Sequence, residues 1–178
     1  GESLMPYCYF PLERLGVIDQ LKASAYPRKM SVQFVGRGGR VSQPFYFFQH
    51  FDHEASTTWQ VVRAEFDQML LDNARSKGAE VIEEANVKHL VEADGYVRGV
   101  RAALAGGETK EFHAPVTIDA SGRDALALTR NRWKQRDPKL NKIAIWTYYR
   151  GALRDAGLDE GATTVAYIPE KGWYWVIP

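Results

Sequence analysis

A single cysteine, Cys8, stands among 178 residues. That excludes an internal disulfide framework and a cysteine-built metal site, and it points to a reducing, cytoplasmic setting. Charge of one sign is missing as well: 23 Lys and Arg face 22 Asp and Glu, a formal net charge of +1. No field of one sign draws in nucleic acid or an anionic membrane surface, so neither is expected as a partner. No apolar run approaches the roughly 18 residues of a membrane span. The opening GESLMP lacks the basic-then-apolar order of a secretion signal. Repeats with a period of about 20–50 residues are absent. His50 and His53 lack the i, i+4 spacing and the Cys or Glu support of a zinc site, so no metal is expected. There is no G-x-S-x-G elbow, no P-loop and no G-x-G-x-x-G. A dinucleotide site is therefore not complete within these residues.

What is present has the balance of an ordinary globular domain, 45% hydrophobic and 25% charged. Leu12, Leu15, Ile18 and Leu21 recur at helical spacing, predicting an amphipathic helix over 11–24 that ends before Tyr26–Pro27. Residues 31–35 and 41–48 read as two strands joined by the turn Gly36-Arg-Gly-Gly-Arg40. Trp59–Val62 is a short apolar strand running into a helix over 64–75 that stops at Lys77–Gly78. Strands follow at 80–83, 87–92, 97–104 and 109–112, with a turn at Asp94–Gly95. Residues 116–119 read as a buried strand leading into a short helix over 123–131, and 143–149 and 163–168 as strands. The class is α/β or mixed α+β. The ending GWYWVIP is apolar to the last residue, which predicts a chain cut inside a domain.

Three constellations suit chemistry, each with a structural alternative. In Val116-Thr-Ile-Asp-Ala-Ser-Gly122 an apolar strand ends in an acid and a glycine. Ligands bind at such strand ends in open α/β sheets, and Asp119 would accept from a hydroxyl, or would simply cap the following helix. Arg63 stands where strand gives way to helix, a place for a guanidinium to meet a phosphate or to lie solvated on the surface. Trp173 and Trp175 share one face of a strand and would wall off a planar ligand or pack as a core pair.

These same segments, GESLMP at 1–6, TWQVVRAEFD at 58–67, VTIDASGR at 116–123 and GWYWVIP at 172–178, resemble flavin-dependent halogenases and related FAD-dependent monooxygenases across the whole chain. The Trp-x-Trp-x-Ile-Pro ending is specific to the halogenase branch, whereas Asp-Ala-Ser-Gly is shared more widely with flavin monooxygenases and geranylgeranyl-type reductases. The resemblance implies the central part of an FAD-binding Rossmann-like domain with an antiparallel substrate-side sheet, as in para-hydroxybenzoate hydroxylase. Residues 1–28 and 59–131 would belong to the FAD portion and 29–58 and 132–178 to the substrate-side sheet. The Gly-rich FAD segment and a second flavin element would flank the chain.

By the same resemblance, FAD would contact Glu2, Ser3, Arg63, Asp119, Gly122, Trp173, Trp175 and Pro178. Lys29, in a Pro-x-Lys-x-Gly-like segment, would be the catalytic lysine that activates or relays oxidised halogen. Ser31 stands where the family commonly has glycine, so a different backbone is expected there. The implied reaction uses reduced flavin from a separate reductase, oxygen and halide to halogenate an electron-rich aromatic, a phenol or a pyrrole. The alternatives are a geranylgeranyl-reductase-like or other FAD-dependent oxidoreductase, and a non-catalytic ligand-binding remnant of the fold. The chain alone is expected to be inactive.

Overall fold

In the computed structural model, which describes residues 2–178, Pro6 opens a short 3-10 turn leading into α1 (Tyr9–Leu15) and then α2 (Ile18–Ala23). The single helix expected over 11–24 is thus two helices with an earlier start. The break is at Gly16, whose φ of 75° lies in the left-handed region. The N–H groups of Gly16 and Val17 turn back to Glu13 O at 2.8 Å and Leu12 O at 3.1 Å, closing α1 as a left-handed C-terminal cap. Gly16→Ala should cost about 1 kcal/mol of stability in a denaturant titration, because a Cβ is strained at that φ.

The chain forms two compact units, one of residues up to Val81 with Tyr149–Pro178, the other of Ile82–Tyr148. In the first, β1 (Arg28–Lys29) precedes β2 (Ser31–Val35) and β3 (Phe45–Tyr46), which pair antiparallel through Ser31↔Tyr46 and Val32↔Phe45. The expected hairpin exists, with a Val35↔Val41 bridge at its turn. Its second strand is shorter than expected because Pro44 interrupts it and Phe47–Gln49 winds into a 3-10 turn.

Next comes β4 (Thr58–Trp59), which pairs antiparallel with β1, and then α3 (Arg63–Ser76). Phe66 of α3 packs with Tyr9, Leu12, Val17, Ile18, Leu21, Ala55, Trp59 and Val61 in one core. Burying each large apolar side chain contributes about 1.5–3 kcal/mol. Asn73 Nδ2 also donates to Leu15 O at 3.1 Å, tying α3 to the end of α1.

The second unit is a three-stranded antiparallel sheet, β5 (Asn86–Ala93), β6 (Tyr96–Ala103) and β7 (Thr109–His113), in that order. Its first turn uses the positive φ of Asp94 and Gly95, as the sequence predicts. Short α4 (Leu126–Arg130) follows. Residues 80–83, 116–119 and 143–149 are not strands, contrary to expectation. Val116, Ile118, Ile143 and Ile145 are between 73% and 90% exposed, the mark of apolar segments that find no sheet neighbour among the described residues. A strand needs a partner's backbone for its hydrogen bonds, so strand-like sequence alone does not make one.

The first unit closes with β8 (Thr163–Ile168) and β9 (Gly172–Val176), giving a mixed sheet of order β3-β2-β8-β9 in which β2 and β8 run parallel. Among the described residues no helix is long and apolar enough to cross a membrane.

Candidate functional site

The segment Thr58-Trp-Gln-Val61 sits between two others and alternates with period two. Leu4 N–H donates to Trp59 O at 3.0 Å and Val61 N–H to Glu2 O at 2.7 Å on one side. On the other side Gln60 N–H donates to Pro27 O at 2.9 Å, next to the Lys29↔Thr58 pair. Strand geometry sends Trp59 and Val61 into the apolar core and puts Thr58 and Gln60 on the opposite face, with Lys29 and Ser3 opposite them. All of this second face is polar, yet Lys29 is only 4% exposed, Thr58 2% and Gln60 3%.

A buried polar face must find partners, and these come from Ser3 and Leu4 on one side and from Gly161 and Thr163, at the entry to β8, on the other. Lys29 Nζ donates to Ser3 Oγ at 2.9 Å and to Leu4 O at 3.3 Å. Ser3 Oγ and Thr163 Oγ1 are 2.8 Å apart. Gln60 Nε2 donates to Thr163 Oγ1 at 2.9 Å and to Gly161 O at 2.7 Å. The Phe47 ring lies 5.6 Å from Lys29 Nζ. No carboxylate pairs with Lys29 among the described residues, and burial pushes its amine below the ordinary 10.5, against a smaller opposing influence of Cys8. Ser31, fully buried, spends its hydroxyl on Asp159 Oδ1 at 2.9 Å, and Tyr46 OH donates to the other oxygen at 2.8 Å. Ser31 thereby anchors the loop that leads to Thr163.

The structure therefore brings Lys29 and Ser3 together, two residues singled out from sequence for different roles. Glu2 enters through its backbone bond to Val61, two residues before Arg63. Arg63 begins α3 and grips Asp67 with two bonds of 2.9 Å, leaving part of its guanidinium exposed. Trp173 and Trp175 lie side by side on β9, with ring centroids 6.4 Å apart and about half of each indole exposed. Their register partners Tyr167 and Val165 put the same sheet face in line with Thr163. Pro178 follows β9 and is half-buried.

Asp119 and Gly122 lie in the second unit. Asp119 accepts from Ser121 N–H and Oγ–H and from Ala127 N–H, so its carboxylate organises the entry to α4. Those bonds, the Ser121 hydroxyl first, hold its acid below the ordinary 3.8. Gly122 takes a left-handed φ of 63° beside it. Stability from Asp119 is thus present above the unfolded value and lost as pH falls through the depressed folded one. Asp119→Ala should remove that acid dependence and speed amide exchange at Ala127.

Gln60, Gly161, Thr163 and Asp159 were not singled out from sequence. A signal existed for Gln60, the polar residue inside Thr-Trp-Gln-Val-Val, since an amide in a buried strand requires partners. Nothing local marks the others, which lie about a hundred residues or more away along the chain.

Residues 9–178 match the tryptophan halogenase family. Among curated proteins the chain is 28% identical over its full length to the 1H-pyrrole-2-carbonyl-[peptidyl-carrier protein] brominase of Pseudoalteromonas luteoviolacea, spanning 42% of that protein. It is 32% identical over its full length to tryptophan 2-halogenase of Chondromyces crocatus, spanning 33% of it. Among solved structures, the myxobacterial chondrochloren halogenase, described as a variant of FAD-dependent halogenases, superposes with a TM-score of 0.79 at 27% identity, over all of this chain and 41% of that one. The chain thus spans under half the length of the relatives it matches.

Proposed function

The chain belongs to the tryptophan halogenase family, and from that premise we propose that the whole protein is an FAD-dependent halogenase acting on an electron-rich aromatic, a phenol or a pyrrole. Residues 1–28 and 59–131 would form part of its flavin side, and 29–58 and 132–178 part of its substrate side. A separate flavin reductase would supply reduced FAD, and a cytoplasmic setting suits that supply.

The residues present fit a flavin in kind. The half-exposed indoles of Trp173 and Trp175, tilted 43° to each other, offer an apolar wall, and the partly exposed guanidinium of Arg63, paired with Asp67 at the start of α3, offers a donor for a phosphate. Glu2, Ser3, Asp119, Gly122 and Pro178 complete the proposed set of contacts. Bound there in its reduced form, FAD would supply the oxygen chemistry that oxidises halide.

The observation that carries the reading is Lys29. A lysine that is 4% exposed, with no carboxylate among the described residues to neutralise it, is costly to keep charged. Such an amine is suited to work as a neutral group that donates through N–H and offers a lone pair. Its role would be to hold oxidised halogen and pass it to the aromatic, with Phe47 covering it and excluding water.

The test uses the full encoded protein with FAD, a reductase, oxygen, chloride or bromide, and a panel of phenols and pyrroles. Halogenated product that requires halide is expected. Halide-independent oxidation or alkene reduction with FAD bound would leave a flavin oxidoreductase and remove the halogenase. A protein that does not bind FAD would remove both.

A further inference from the structure

Gln60, Thr163, Ser3 and Lys29 form a continuous row, and donor and acceptor chemistry gives it a direction. Gln60 Nε2 lies 2.7 Å from Gly161 O, an atom that can only accept, so the amide nitrogen must face it. The same nitrogen is 2.9 Å from Thr163 Oγ1, so Thr163 accepts there. From Thr163 the row passes to Ser3 Oγ at 2.8 Å and on to Lys29 Nζ at 2.9 Å. The far end of the row is thus an obligate donor. Gln60 Oε1, the acceptor that would reverse it, points elsewhere and is buried without a partner.

The two protonation states of Lys29 are not equal in this setting. When a charged Lys29 donates to Ser3, one hydroxyl proton, on Ser3 or on Thr163, is left with no acceptor in the row. When Lys29 is neutral, Gln60 donates to Thr163, Thr163 to Ser3 and Ser3 to the amine lone pair, and every proton in the row is used. Nζ then still donates to Leu4 O. Thr163 is buried and Ser3 half-buried, so a hydroxyl left there without an acceptor in the row is costly, and the row favours the neutral amine.

We propose that Gln60 and Thr163 are positioning residues for Lys29, acting through Ser3 to fix the orientation of its amine and to hold it in the neutral form. The catalytic meaning of this rests on the function proposed above, whereas the row itself does not. Other groups around Lys29 do not account for the same preference. Cys8, just before α1, favours the charged form; Arg28 precedes Lys29 on β1; Asp159 is engaged by Ser31 and Tyr46; Phe47 is apolar. Burial acts in the same direction as the row but has no direction along it, which makes the two separable.

Gln60→Glu places an acid where the amide was. Protonated, it donates to Gly161 O and accepts from Thr163; ionised, it accepts from Thr163. Either way the row can run from a charged Lys29 outward. The measurement is the pH dependence of Lys29 acylation by acetic anhydride, read by peptide mass spectrometry on the full encoded protein. Wild-type Lys29 should titrate below an exposed lysine. Gln60→Glu should raise its value by about one unit. In a Thr163→Val background, where the row is cut, the rise should shrink to less than half.

An equal rise with and without Thr163 would mean through-space attraction and would overturn the proposal, as would no rise or a wild-type Lys29 that titrates like an exposed lysine. Should Gln60→Glu not fold, Thr163→Val is compared with Thr163→Ser in the halogenation assay. Positioning predicts a fall of about tenfold in kcat with KM unchanged for the valine, and recovery in the serine variant. Full rate with valine overturns it. Acylation needs no turnover, so the expected titration without halogenated product would keep the row and remove the proposed function, while halogenation with an unshifted Lys29 would do the reverse.

Discussion

Replacing Lys29 by methionine in the full-length protein is expected to lower halide-dependent product formation by about 10²–10⁴-fold, the range associated with losing a positioned proton-handling side chain. FAD affinity should be unchanged. Methionine keeps the length and apolar stem of lysine and removes only the amine, so the Lys29↔Thr58 pairing and the contact with Phe47 survive. Stability should change by about 1 kcal/mol or less, because relief from burying an amine that has no carboxylate partner among the described residues offsets the loss of its bonds to Ser3 and Leu4. That combination distinguishes a chemical role from a structural one. Product formation retained in Lys29→Met would dismiss Lys29 as the halogen-handling residue, and lost activity accompanied by lost stability would make it a scaffold residue.

The pH dependence has a definite sign. The folded-state value of Lys29 is lowered by burial, so between that value and the ordinary 10.5 the unfolded chain binds the extra proton. Stability rises with pH through this window, and falls as pH drops through the folded value. Lys29→Met should flatten that slope, which urea titrations at several alkaline pH values would show. The same window should appear in turnover, rising as Lys29 loses its proton.

Much of the scaffold of this site was legible in the sequence because it rests on local patterns. The strand-to-helix passage at Trp59–Arg63 follows from alternation giving way to helical spacing, and the turn at Asp94–Gly95 follows from residues that tolerate positive φ. The indole pair at Trp173 and Trp175 needs only the period of a strand. What failed were apolar segments such as 116–119 and 143–149, whose strand character depends on neighbours that the described residues do not provide. The break at Gly16 was overlooked because the leucine spacing runs through it without interruption. Within the site, Lys29 and Ser3 were named separately from family motifs. Their meeting, and their dependence on Gln60 and Thr163, is set by a parallel pairing of β2 with β8 across more than a hundred residues, which no local pattern encodes.

That long-range pairing makes Gly161→Ala the substitution expected to do most damage to the site. A Cβ built on Gly161 would stand 2.1 Å from Arg28 O and 2.7 Å from Arg28 C. These are backbone atoms, and they cannot rotate aside as the end of a side chain would. Arg28 is held by its pairing with Trp59, itself locked in the core. One of two segments must therefore move. If the loop at Gly161 withdraws, its carbonyl leaves Gln60 Nε2, a buried donor loses its acceptor, and Thr163 is drawn away from Ser3. If β1 yields instead, Lys29 is displaced from Ser3 and Leu4. Overpacking of this severity against fixed backbone should cost about 3 kcal/mol or more. Gly38→Ala, where an added Cβ meets nothing within 4 Å, supplies the control and should be nearly neutral. In denaturant titrations the two variants should separate clearly, and any Gly161→Ala protein that still folds should show Lys29 acylation shifted toward that of an exposed lysine. Equal stability of the two variants would mean that Gly161 does not press on β1, and the link from this loop to Lys29 would fall with it.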